Sequence, residues 1–443
     1  MIAYLGYLIA ALLPAYLLRI KLPSPASGSI NLLDILLFLF LSVGFLTIAQ
    51  KHLLKDFYRF CFTQKAFIIP ALIIALSAIA SLLVNLDSSG WQDGVGIIKS
   101  IYVLPIITSA VLAYFISANL IRAKLLSWAY FYSSSVIAAA GIFYAVAGWR
   151  SYDGRISLVF DSPNYLAMYL SAGMVIGFSL VLQIIFSSAS PQKVAPTTRG
   201  QKNLSKETTP TVFFVLLALL IHAIALLLTA SLGSILALTI LLGGVLIAFY
   251  FPRFNSRKLL AATFFLVFIF YEITFPLNSI QEQILNKTNY SPFLNRSSLD
   301  SRLVIYQVGA KILKENWFWG TGPGNFQQKY LEQQQYFLPF PQWAVPHPHN
   351  MLLHFRLETG LMGFAAILWI IIATVQILPK QSRVMGSTSL ALLIYLLLHG
   401  AIDTPISNNG MALLFWAVIF LIPALNYKKE KQNISAIPAN ERQ

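Results

Sequence analysis

The chain has 443 residues, of which 57% are hydrophobic and only 11% charged, with a formal net charge of +15. Soluble domains carry about 25% charged residues, so this composition excludes an ordinary soluble enzyme, a disordered chain and a coiled coil. In a soluble protein the basic balance would suggest nucleic acid. Here Lys and Arg gather in short loops between apolar stretches, as in membrane proteins, and no nucleic-acid partner is implied.

Apolar stretches long enough for a bilayer core of about 30 Å recur along the chain. They predict an all-α polytopic integral membrane protein of about twelve transmembrane helices, at roughly 2–18, 30–49, 66–85, 100–118, 125–148, 163–186, 211–229, 234–251, 259–275, 357–378, 387–406 and 410–426. The apolar start at Ile2 reads as a retained first helix and not as a removed signal peptide. With the N-terminus inside, the cytoplasmic side receives Lys51, Lys55, Arg59, Lys65, Arg122, Lys124, Lys193, Arg253, Lys380 and Lys428 among others. The short outer loops hold only Arg19, Lys21, Lys99, Arg150 and Arg155, which satisfies the positive-inside rule and puts both termini in the cytoplasm. Residues 187–210, rich in Ser, Thr, Pro and Lys, read as a flexible cytoplasmic linker, and 427–443 as a cytoplasmic tail. Residues 276–349 form one large extracytoplasmic loop with short helices. Val304, Ile305, Val308 and Ile312 share a helical face there, with Gln307 and Lys314 opposite, and Asp300 or Ser301 is a candidate cap. Long ordered loops are usually functional. No internal repeat and no second soluble domain is evident, and the lone Cys61 excludes an internal disulfide.

Ionisable groups at membrane depth are expensive and point to function by default. Asp34 and Glu272 fall near span ends, where hydration suggests a structural role. His222 lies mid-span, where a helix–helix hydrogen bond competes with a site role. His399 and Asp403 lie in a late span, Asp403 toward the side of the long loop. That loop ends in Pro346-His347-Pro348-His349-Asn350 and leads into a helix. His349 is thereby held just outside the membrane on a rigid support, with Asn350 a candidate cap. Gly360 and Gly363, three apart, suggest close helix packing on one face. Metal binding by His347 and His349 is disfavoured, because no HExxH pattern or nearby carboxylate cluster completes a site. Arg302 opens the amphipathic helix and Arg155 lies in an outer loop, followed by Pro163-Asn164. Arginine offers a planar fork suited to phosphate oxygens; a solubilising charge is the competing reading, as helix capping is for Asn164. Gly320, Gly322 and Gly324 read as a turn after Trp319.

These elements together resemble the O-antigen ligase and polymerase superfamily of bacterial envelope glycosyltransferases. The resemblance rests on His349-Asn350-x9-Gly360-x2-Gly363, on Arg302 with Trp317, Gly320 and Gly322-Pro323-Gly324-Asn325-Phe326, and on Arg155 with Pro163-Asn164. It implies a metal- and cofactor-independent transfer at the outer face of the bacterial cytoplasmic membrane. The donor would be an undecaprenyl-diphosphate-linked glycan. The acceptor hydroxyl would be a lipid A–core sugar in a ligase, another glycan in a polymerase, or a protein side chain in an oligosaccharyltransferase. Carried across, His349 would be the general base and Arg302 and Arg155 would bind the diphosphate. Asp403 would support them, and His347, Asn350 and Asn164 would line the substrate site. One departure stands out. Ser-Arg-Gly is frequent in the superfamily at an outer turn that reads Ser231-Leu232-Gly233 here, leaving Lys287 or Arg296 as substitute cations. A transporter is the rival from another class, since twelve spans with both ends inside also describes many carriers. Carriers, however, place charges near the midplane in broken helices of paired halves, whereas here the candidates lie at the outer surface.

Overall fold

The computed structural model describes residues 1–20, 30–86, 91–151, 153–189, 201–250, 258, 262, 263, 265, 298–337, 345–378 and 388–436. The chain is almost wholly helical over these residues. Helix α1 (Ile2–Ala11) gives way to a 3-10 turn at Leu13–Leu17 that contains Pro14, so the first expected span breaks at Leu12. Arg19–Ile20 and Ile30–Asn31 form a short antiparallel ribbon. Then follow α2 (Leu32–Gln50), α3 (Leu54–Thr63), α4 (Lys65–Val84), α5 (Trp91–Ile97), α6 (Leu104–Ser117), α7 (Ala123–Val146), α8 (Pro163–Ala189), α9 (Gln201–Leu228) and α10 (Leu232–Tyr250). The loop helices are α11 (Ser298–Glu315) and α12 (Phe326–Gln334); α13 (Met351–Ile377), α14 (Thr388–Gly400) and α15 (Asn409–Ala436) complete the chain.

Among the described residues, seven helices are long and apolar enough to cross a membrane, and four shorter apolar helices accompany them. The expected span at 259–275 lies almost entirely outside the described residues, as do Glu272, Lys287 and Arg296. Helix enters the expected linker 187–210 from both sides, through Ala189 and from Gln201, and α15 carries the tail to Ala436.

Two departures from simple spans have local causes. The expected span at 100–118 begins earlier, because α5 and α6 are joined through a π-helical stretch, Ile98–Val103. A helical proline clashes with the carbonyl four residues earlier. Pro105 does this to Ile101, whose freed oxygen accepts the indole N–H of Trp416 at 2.9 Å. The second is α13, which breaks at Gly360 (φ 64°). There the Trp319 turn plugs the gap: Leu361 N donates to Phe318 O at 2.8 Å and Thr321 N to Leu357 O at 2.7 Å. The Gly360 and Gly320 positions thus exist to let two backbones meet, which revises their reading as helix packing and a free-standing turn. Gly363 does face α4, with Ser77 Cβ 3.4 Å from where its own Cβ would lie.

The large loop has an apolar core of its own. Ile305, Val308 and Ile312 of α11 pack with Phe326, Tyr330 and Val345 against Leu352, Leu353 and Leu357 of α13. The expected face is therefore correct. Gln307, expected on the solvent side, is buried as well, because α11 is covered on more than one side. The helix begins at Ser298, so Asp300 and Ser301 lie within its first turn.

Candidate active site

Two prolines flank His347, fixing their own φ and disfavouring helix at the residue before each. The helix therefore starts only after Asn350, whose side-chain oxygen accepts from Leu353 N at 3.0 Å. The other end of that amide donates to Ala401 O at 3.0 Å, and the residue is 1% exposed. Asn350 thus ties the start of α13 to the end of α14. His349, one residue earlier, has φ 49°, a left-handed conformation of the kind that collects at functional sites. Its carbonyl accepts the Tyr306 hydroxyl at 2.9 Å, which fixes the turn from α11.

Helix α14 ends at Gly400, and the turn after it delivers Asp403. Its Oδ1 receives Thr404 N at 2.8 Å and His349 Nδ1 at 2.9 Å; Oδ2 receives Asn164 Nδ2 at 3.1 Å. Arg302 Nη2 lies 3.9 Å from Oδ2 and His347 Nε2 3.7 Å from Oδ1. Arg302 Nε also donates to Ile402 O at 2.7 Å. Arg155 supports the group from behind: its Nη2 donates to Asn164 Oδ1 at 2.7 Å, its Nε to Thr229 O at 2.6 Å, and Nη1 lies 3.5 Å from Asp153. All seven residues singled out in the sequence therefore meet in one constellation, with Asp403, expected only as a supporting group, at its centre.

Burial by itself would raise the Asp403 carboxyl. Electrostatic attraction to the His349 ring and its hydrogen bond, with the His347 ring nitrogen close by, outweigh it and hold the carboxyl well below the usual carboxylate range. Burial, and then His349, push His347 down, so it sits neutral beside the carboxylate. Its ring stacks on Tyr165 with centroids 6.2 Å apart. Burial likewise pushes the Tyr306 phenol up, which keeps it a hydrogen-bond donor. Tyr306, Tyr165 and Thr229 are contributors that the sequence did not single out; the tyrosines sit among many aromatic residues, and the third acts through a backbone carbonyl.

His347, His349 and Asp403 each bring one ligand atom within 4.8 Å of the others. The carboxylate thought missing for a metal site is thus supplied by Asp403, 54 positions from His349. A cation there would have to replace the contacts of both imidazoles with Asp403, while Asn164 and Arg302 hold the other oxygen. Two other membrane-depth groups, Asp34 and His222, make contacts within and between helices away from this constellation. Asp34, though near a span end, is buried and pairs with Lys99 at 2.7 Å. His222 donates within its helix to Ala218 O and meets Ser134 Oγ at 2.9 Å, a helix–helix bond. The Ser231-Leu232-Gly233 turn borders the site, since a Cβ at Gly233 would lie 2.9 Å from Ile402 Cδ1. Leu232 itself is 75% exposed.

Residues 215–368 match a family model described as O-antigen ligase, a segment that contains Leu232, Arg302, His347, His349 and Asn350. No match is found among curated proteins. This match, over about a third of the chain, supports the resemblance to the O-antigen ligase and polymerase superfamily.

Proposed function

We propose, from that match and the geometry of the site, that the protein is a membrane glycosyltransferase of the O-antigen ligase type. It moves a glycan from an undecaprenyl-diphosphate carrier to an acceptor hydroxyl at the outer face of the bacterial cytoplasmic membrane, without a metal. The observation that carries the reading is the His349–Asp403 pair at 2.9 Å, with Arg302 on the second carboxylate oxygen.

With Nδ1–H donated to Asp403, His349 keeps its lone pair on Nε2, the tautomer a general base requires. The acceptor hydroxyl gives its proton to Nε2 as its oxygen attacks the anomeric carbon. The bond to the diphosphate breaks, and the electron pair leaves with the phosphate oxygen. That leaving group needs charge stabilisation more than protonation. Arg302 supplies it at the edge of the site, while Arg155 holds Asn164 and adds positive potential from behind. A carrier anchored in the bilayer is already confined near the site, which lowers the entropic cost of encounter.

The test compares extracted lipids from cells carrying wild-type protein or His349→Ala at equal membrane abundance. Loss of a general base costs roughly 10²–10⁴-fold in rate, so lipid-linked glycan accumulates in the mutant. Glycan chain length then separates ligase from polymerase. Unchanged lipid pools with intact surface glycan would remove the catalytic histidine. Activity of purified protein abolished by chelation and restored by a divalent cation would replace the metal-free scheme with one using the His347–His349–Asp403 triad.

A further inference from the structure

A cavity of about 240 Å³ lies between α1, α2, α6, α7, α8, α14 and α15 and reaches the helix ends opposite the site. Its placement follows from single helices. Asn164 of the site and Gln183 of the cavity lie on α8, 19 positions and so about 28 Å apart at ~1.5 Å per residue. Thr388 of the cavity opens α14, whose far end leads to Asp403.

The lining is graded. Lys124, Ser127, Gln183 and Thr388 lie at the end of the cavity away from Asp403, where Gln183 Nε2 donates to Thr388 Oγ1 at 3.2 Å. Toward the membrane interior the wall is apolar, with Leu414, Val418 and Leu421 of α15 along it. Thr108 and Tyr130 are exceptions: the buried Thr108 hydroxyl lacks a hydrogen-bond partner, and the Tyr130 hydroxyl donates to Tyr169 O at 3.1 Å. From Leu413 to Leu425 the lined stretch of α15 covers about 18 Å, close to the ~15 Å of one leaflet's hydrocarbon. An exposed Lys124 with exposed Arg122 two positions away makes the rim cationic.

We infer that this cavity binds one anionic phospholipid, with an acyl chain along α15 and the headgroup phosphate at Lys124. A polar, cationic rim above an apolar shaft one leaflet deep matches an amphiphile with a negative head. A free phosphate would leave the shaft empty, and a neutral lipid would leave the cations unmatched. Cations near an anionic membrane surface attract such headgroups. The cavity shares no lining residue with the His349 site, so this inference does not rest on the proposed transfer reaction.

The test is native mass spectrometry of the delipidated full-length protein, titrated with dioleoyl phosphatidylglycerol or dioleoyl phosphatidylcholine. Phosphatidylglycerol adducts are expected at lower lipid concentration. Lys124→Ala weakens them about fivefold, the effect of one cation near an anionic headgroup, and Lys124→Arg keeps them. Ala417→Phe, which fills the shaft, removes the preferred adduct while the surface variant reports on a fully folded chain. Equal retention of the two lipids, or a phosphatidylglycerol curve that neither Lys124→Ala nor Ala417→Phe moves, overturns the inference.

Discussion

Taking a carboxylate out of water costs several kcal/mol unless its lone pairs are met by good partners, and Asp403 is only 3% exposed. Its partners come from four separate segments: Asn164, Arg302, the His347–His349 pair and Thr404. The depressed carboxyl has a definite consequence for stability. A group whose folded pKa lies below its unfolded value stabilises the fold above the unfolded pKa and loses that contribution as pH falls through the folded one. Asp403→Asn should therefore destabilise the protein by about 3 kcal/mol near neutral pH, the scale for breaking a buried pair. The gap between mutant and wild type should narrow only below about pH 4, the ordinary aspartate range. Thermal unfolding in detergent across that pH range measures it; a gap independent of pH down to the acid limit would mean that Asp403 is not charged in the fold. His349, Arg302 and Arg155 were legible as residue types out of place on the outer surface. The centrality of Asp403 was not, because an acid near a span end is commonplace and its partners lie up to 239 positions away.

The break in α13 works at the scale of two elements. A helix interrupted at membrane depth must have its freed backbone groups satisfied by protein. Here Phe318, Trp319 and Thr321 do this from the loop between α11 and α12. The fit leaves no room for a side chain: a Cβ at Gly360 would lie 2.4 Å from Phe318 O, and one at Gly320 would lie 2.2 Å from Leu357 O. Both residues also have positive φ. Because α11 carries Arg302 and α13 follows His349, this junction sets how the two approach. Gly360→Ala should cost on the order of 2–3 kcal/mol through strain and steric displacement, and should lower transfer activity more than the stability loss explains. Gly243→Ala, where a Cβ meets nothing within 4 Å, is the matched control. Equal melting temperatures for the two variants would refute the interlock. Hydropathy revealed the span and composition revealed the turn, but neither could reveal that they join. Hydropathy registers how apolar a stretch is, not whether its hydrogen-bond ladder is continuous.

At the scale of the whole molecule, the connections sort onto two faces. Asn85 reaches Gly320 O, Arg19 pairs with Asp161, Asn164 meets Asp403, and Arg155 meets Thr229. These contacts gather the turns after α4, α7, α9 and α14 around the large loop. The opposite ends of the same helices carry Lys51, Lys55, Arg59 and Lys65 around α3, with Arg122 just before α7 and Lys124 in its first turn. Short basic connections remain cytoplasmic because translocating Lys and Arg is disfavoured. The proposed function requires the site to face outward, toward a lipid-linked glycan, and the positive-inside rule applied to these connections predicts that orientation. Cys61 is the sole cysteine, so Cys61→Ser provides a background for single-cysteine mapping. Lys314, exposed at the end of α11, and Arg122, exposed before α7, mark the two faces. A membrane-impermeant maleimide applied to intact spheroplasts should label Lys314→Cys fully and leave Arg122→Cys unlabelled until the membrane is opened. The reverse pattern would turn the site toward the cytoplasm, and a polyprenyl donor presented at the outer leaflet would no longer reach His349.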